Sequence, residues 1–249
     1  MLQDEVVAGP LRVDLRELET RSIRAAGVEL LRRAYFAVRD PAWGTVEPQV
    51  LARAVERQDG GFRLRARCLY RADPIHLDAE LEIRGTEDGV VRLGSTAVAS
   101  SAFAYNRIGF CLHHPPAELA GATLVLDGAE AIRLPDRVLP QVVAGATFAP
   151  AAGPFSTLTV TGASGARVEL RFSGDEFELE DQRNWTDGSF KTYGTPLALG
   201  APSPLKPGDR LEQSIELRLL EPPRRRPPAR PATPELRLAK QATIARVGF

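Results

Sequence analysis

Residues 62–70 read FRLRARCLY, and their parity is nearly strict. Phe62, Leu64, Ala66 and Cys68 fall on one side, and Arg63, Arg65 and Arg67 on the other. A period of two marks a strand buried on one face and wet on the other, because successive side chains of an extended chain point to opposite sides. Residues 76–83 (HLDAELEI) repeat the pattern with Leu77, Ala79, Leu81 and Ile83, and residues 11–15, 167–172 and 214–220 do the same. The long arginine stems cover apolar surface while their charged heads stay in water. Turn signals separate these runs at Asp59-Gly60-Gly61, Glu87-Asp88-Gly89, Asp127-Gly128 and Gly162-Ala163-Ser164-Gly165. Alternating runs joined by such turns form hairpins and meanders. The fold class expected is therefore all-β, a large antiparallel β-sandwich of many strands. A chain of 249 residues is long enough to bury the core of one such sandwich without staples.

Helical signals are few. Residues 28–38 (VELLRRAYFAV) score as helix or strand, and the Tyr-Phe-Ala-Val end favours strand. Residues 115–119 suggest one helical turn after a double proline. Residues 221–233 (EPPRRRPPARPAT) carry almost no apolar side chains and cannot join a packed core. The expected division is a sandwich domain over 1–220, then a Pro/Arg-rich linker and C-terminal tail over 221–249.

Basic and acidic residues balance at 32 each, which argues against nucleic acid or a membrane surface as partner. The N-terminal MLQDEVVAGPL is acidic and does not read as a secretory leader, and no run is long and apolar enough to span a bilayer, so a cytoplasmic location is expected. Cys68 and Cys111 read as two buried core residues; two isolated cysteines make neither a disulfide framework nor a zinc site. Nucleophile elbow, phosphate loop and zinc-helix motifs are lacking, so no cofactor and no metal is expected.

Three segments concentrate chemistry. The first is Arg39-Asp40-Pro41-Ala42-Trp43-Gly44-Thr45, where Trp43 is either a core plug or a stacking platform for a sugar face. Arg39 and Asp40 beside it are suited to gripping hydroxyls through charge-assisted bonds. The second segment runs from Tyr105 through Asn106 and Arg107 to His113 and His114. Adjacent histidines on a strand face opposite ways and do not readily share a metal; one of them is a candidate acid or base. The third, FELEDQRNWTDGSFKTYGTPL (177–197), packs Glu178, Glu180, Asp181, Arg183, Asp187 and Lys191 around Asn184, Trp185 and Tyr193. There Glu178 and Glu180 share one strand face and Asp181 turns to the other.

Together these runs, GVELLRRAYFAVRDPAWGTV (27–46), NRIGFCLHHP (106–115) and EDQRNWTDGSFKTYGTPL (180–197), resemble the N-terminal part of the D-apionate lactonases. Those are bacterial enzymes of apiose catabolism that open a sugar-derived lactone. The resemblance extends from about residue 11 to about residue 220. It implies a supersandwich fold similar to that of galactose mutarotases, and a small-molecule carbohydrate or lactone as ligand. Family members continue into a barrel-type domain, so a separate barrel partner, or self-association of an exposed apolar face, is expected. In the catalytic expectation His114, Glu180 or Asp181 is the base, and Arg183, Arg107 or Asn184 stabilises the oxyanion. Trp43 and Trp185 stack on the sugar, with Arg39, Asp40, Asn106, Lys191 and Tyr193 completing the binding set. The competing expectation is a sandwich that binds carbohydrate or a partner domain without turnover; sugar epimerisation is a subordinate option.

Overall fold

The computed structural model describes residues 3–138, 151–185, 187–196 and 199–224. Its first strands are β1 (Gln3–Ala8), β2 (Leu11–Arg16), β3 (Glu19–Ala25), β4 (Val28–Leu31) and β5 (Arg33–Arg39). Long strands follow: β6 (Pro48–Gln58), β7 (Gly61–Ala72), β8 (Ile75–Thr86) and β9 (Val90–Ala99). After β10 (Phe103–Tyr105) and β11 (Arg107–His114) comes α1, one turn over Pro116–Leu119. Then come β12 (Thr123–Leu126), β13 (Ile132–Arg133), β14 (Ala152–Phe155), β15 (Thr157–Thr161), β16 (Arg167–Ser173) and β17 (Phe177–Asp181). A 3-10 turn over Gln182–Trp185 leads to β18 (Phe190–Gly194), β19 (Ser203–Leu205) and β20 (Arg210–Glu221).

Two nine-stranded sheets face each other. The first runs β1-β2-β3-β5-β11-β18-β17-β14, with β4 beside β3; the second runs β13-β12-β15-β16-β20-β9-β8-β7-β6. Neighbouring strands pair antiparallel throughout the described residues. The large antiparallel sandwich expected from the alternation is thus present. Region 28–38 is strand on both sides of Arg32, and the helical turn after the double proline stands at Pro116–Leu119. β20 carries the ordered sheet to Glu221, and the backbone N–H of Arg224 donates to the Ser164 carbonyl at 3.0 Å. The rest of the linker and the tail lie outside the described residues.

The core follows from parity. In β7 Phe62, Leu64, Ala66 and Cys68 are buried while Arg65 and Arg67 are exposed. Phe36, Val38, Phe110 and Leu112 of the first sheet meet them from the other side. Cys68 and Cys111 are both buried and free, as read, and stand on strands of different sheets. Tight packing shows at Gly85, which faces Phe62 across the β7–β8 ladder. A Cβ there would lie 2.3 Å from the Phe62 ring and 2.7 Å from the Ala8 methyl. Phe62 is 1% exposed and has nowhere to swing. Gly85→Ala is therefore expected to lower stability by about 1–3 kcal/mol through overpacking; urea unfolding checks this, and an unchanged midpoint refutes it.

Candidate functional site

The three chemical segments converge on adjacent strands of the first sheet. Tyr35 of β5 pairs with Cys111 of β11, and Cys111 pairs with Tyr193 of β18, which pairs with Glu178 of β17. The next row runs Arg33, His113, Lys191 and Glu180. Both rows lie on the face turned away from the main core, where Ala37, Cys111, Tyr193 and Tyr35 form a separate small cluster.

Arg107 organises this face. Its Nη2 donates to Oε1 of Glu178 and to Oε1 of Glu180, each at 2.8 Å. Its Nη1 donates to the carbonyls of Gly194 and Thr195 at 3.1 and 3.2 Å. The guanidinium carbon stands 4.3 Å from the Tyr193 ring centroid, within cation–π range. The three charged side chains are only 3–5% exposed. Two buried carboxylates on one strand face repel, and the shared guanidinium makes the arrangement tolerable. Burial pushes the Glu180 carboxyl upward, with Glu178 adding to that, while Arg107 and the amide of Gln182 pull it back.

A partly buried chain of hydrogen bonds ties this cluster to the second sheet. Thr195, held at φ 56°, donates through Oγ1 to Asp175 at 2.6 Å. Gln213 of β20 donates through Nε2 to the same carboxylate at 3.2 Å, and its Oε1 accepts the Phe110 N–H at 2.9 Å. Gly109, at φ 143°, makes room for the amide, since a Cβ there would meet Gln213 Oε1 at 2.1 Å.

His113 and His114 point opposite ways, as their adjacency requires. The outward one is His113, not the His114 expected to carry the role. His114 is 1% exposed among Leu30, Leu31, Leu119 and Leu217, and its Nε2 bonds Thr192 Oγ1 at 2.8 Å. It therefore lies on the opposite side of the sheet from Glu180. His113 stands edge-on to Tyr35 at 5.6 Å, and its Nε2 has no hydrogen-bond partner among the described residues. Burial lowers the pKa of both histidines to about 3; Lys191 and Arg33 add to this at His113. Lys191 pairs with Asp187 at 2.5 Å. Burial raises the Asp187 carboxyl, but bonds from Lys191 and Ser189 outweigh it and hold it below its usual range.

Other expected residues take structural parts. Arg183 pairs with Asp181 at 2.8 Å and donates to the carbonyls of Pro135, Asp136 and Arg137, clamping that segment to the end of β17. The two are turned to the face opposite Glu180, because Asp181 follows it by one residue. Asp40 accepts the N–H groups of Ala42 and Gly44 at 2.8 and 2.7 Å and so shapes its own turn. Asn106 donates to the Pro41 carbonyl at 3.0 Å and pins that turn to β11. Trp43 is 49% exposed at the turn, which removes the core-plug alternative. The side chains of Asn184 and Trp185 lie outside the described residues. Glu178 was placed on the Glu180 face and His113 weighed beside His114 without either being given a site role; Tyr35 was missed, although it shares strand parity with Arg39.

Two hollows flank these strands. A groove of about 770 Å³ runs over the outer face of the second sheet, but its Arg65 and Arg67 pair with Glu82 and Glu80 across strands. A pocket of about 460 Å³ opens beside β5, with Tyr35 and Arg39 in its wall. Among the described residues no group of three or more His, Cys, Asp or Glu side chains is placed to hold a metal, and no helix is long and apolar enough to cross a membrane.

The fold defines a class first, the galactose-mutarotase-like supersandwich. A galactose mutarotase related enzyme from Lactobacillus acidophilus superposes with a TM-score of 0.53 at 10% identity, covering 90% of this chain and 99% of that one. A GH36 alpha-galactosidase from Geobacillus stearothermophilus gives 0.55 at 11% identity over 89% of this chain and 41% of that one. At such identities the likeness is one of fold. The chain belongs to the D-apionate lactonase N-terminal domain family, whose model matches residues 2–222. The D-apionate lactonase of Brucella anthropi is 35% identical over 217 residues, 85% of this chain; the chain spans 34% of that relative's length.

Two outcomes are expected from these contacts. Arg107→Met removes the guanidinium that buried Glu178 and Glu180 share and should cost about 3–5 kcal/mol in urea unfolding; a loss below about 1 kcal/mol would contradict the role given to it. The histidines have folded pKa values below the unfolded value, so the unfolded chain binds more protons between about 3 and 6.5. Stability should therefore fall as pH drops from about 6.5 toward 3. His114→Gln should flatten that slope by up to about 1.4 kcal/mol per pH unit, and an unaltered slope would mean that His114 does not titrate with unfolding.

Proposed function

We propose that this chain forms the sandwich part of a lactone hydrolase acting on a sugar-derived lactone. The observation that carries the reading is its 35% identity, over nearly the whole sandwich, to a D-apionate lactonase. Ring opening needs a base for the attacking water and a cation for the developing oxyanion. Glu180, with its raised carboxyl, is the candidate base, and Arg107 or Lys191 the candidate cation. Tyr193 and Arg39 are candidate substrate contacts on the same sheet. His114, Asp181 and Arg183 are not carried forward, because their bonds and burial turn them away from this face.

A second reading has its own support. Arg107 is engaged by both Glu178 and Glu180, and the chain spans only about a third of the relative's length. Under it the sandwich binds carbohydrate or a catalytic partner domain and performs no bond cleavage itself. Hydrolysis assays on the purified chain with D-apionolactone and a set of aldonolactones separate the two. Turnover that falls about 100-fold or more in Glu180→Gln is expected if the base is here. A folded chain with no turnover on any of these lactones overturns the catalytic reading and leaves the accessory one.

A further inference from the structure

The first sheet splits beside β5. Strand β3 begins at Glu19 and pairs with β5 only at Thr20 and Ala34, so past Ala34 it is the tip of the β2–β3 hairpin that stands beside β5. No strand pairs along that edge of β5 beyond Ala34, apart from the short bridge from Arg39 to Thr45. Two of its carbonyls face away from the β11 ladder: Phe36 O accepts from the Tyr70 hydroxyl at 3.4 Å, and Val38 O accepts from the Val46 N–H at 3.0 Å. The gap is the 460 Å³ pocket, a size that suits a small ligand. Residues 16–19 at the tip of the β2–β3 hairpin form one wall, residues 35–39 the second and residues 45–48 the third. Phe36, Val38, Tyr70 and Leu81 give it an apolar floor reaching into the core.

The charges around this mouth do not cancel. Four arginines line it, Arg16, Arg21, Arg33 and Arg39, against Glu17, Glu19 and Glu47. Glu19 alone pairs both Arg21, at 3.3 Å, and Arg33, at 2.5 Å. Among the described residues Arg16 has no ion pair, and its Nε is buried with no hydrogen-bond partner. Arg39 reaches only neutral groups, the hydroxyls of Thr45 and Tyr35. A buried guanidinium N–H without an acceptor is costly, and a carboxylate is the group that matches its fork. Glu17 and Glu47 at the rim offer acceptors for hydroxyls, and the Tyr35 ring beneath Arg33 offers a flat apolar face.

We propose that this pocket binds a small hydroxylated carboxylate of the aldonate class, with its carboxylate on Arg16 and Arg39 and its hydroxyls on the glutamates and tyrosine. Pocket shape and unmatched charge carry the assignment of ligand class. Its tie to catalysis rests on the reading above, because an aldonate is what opening a sugar lactone releases. Tyr35 joins the two regions, since it lines the pocket and touches His113.

Isothermal titration of the purified chain with sodium D-gluconate, D-glucose and sodium acetate tests it. Gluconate should bind at least about tenfold more tightly than either fragment-like probe, since only it satisfies charge and hydroxyl sites together. Arg16→Met should weaken gluconate about tenfold or more with little change for glucose; Arg39→Met provides the same test should the first variant fail to fold. No gluconate binding, or equal affinity in a folded arginine variant, overturns the proposal. Gluconate binding by a chain that hydrolyses no lactone sustains the pocket and removes the catalytic reading. Lactone turnover without gluconate binding does the reverse.

Discussion

The outer face of the first sheet depends on one guanidinium shared by two buried carboxylates. Glu178 and Glu180 project from the same side of β17, and neither tolerates the other without a cation between them. Arg107 supplies it from two strands away, reaching over the Tyr193 ring. The same side chain holds the carbonyl of Thr195, a β-branched residue at positive φ, which only surrounding bonds can keep there. Through Asp175 and Gln213 the network continues into the second sheet. Polar contacts thus register the two layers at this end, where apolar packing alone would leave more freedom.

A second constraint is that β3 ends beside the start of β5. A longer β3 would cover the edge of β5 beside Phe36 and Val38, which are already buried on the core side. Because β3 ends at its hairpin turn after one paired position, a polar-rimmed entry to the sandwich interior is left beside β5. Its arginines lie beside the Arg107 face, so a ligand there would sit next to the buried ionic cluster rather than on the broad groove of the second sheet, where charges already pair across strands.

Much of the architecture was legible from parity. The runs at 62–70 and 76–83 specify strand, face and burial together, since shifting either by one residue would expose its leucines. The opposite orientation of Glu180 and Asp181, and of His113 and His114, follows from the same rule. What parity leaves open is which of the two faces meets the core. That ambiguity underlies the assignment of a role to His114, which the packing of α1 and β4 against β11 instead buries among leucines. Arg183 was read as stabilising the oxyanion and Asn106 as a substrate contact because of their chemistry; both donate to distant backbone carbonyls invisible in local sequence, and Arg183 pairs with Asp181 as well.

The sequence by itself determined the strand-rich class, the two-faced strands, the turns and, through its resemblance, the family. Those properties depend on neighbours two to four residues apart or on long shared motifs. Only the tertiary structure decided that Arg107 serves Glu178 and Glu180, residues 71 and 73 positions away, and that Arg16 and Arg39 meet at one pocket. Strand order across a sheet is set by the packing of the whole core, and charge compensation inside a protein is a property of distances that no local pattern encodes.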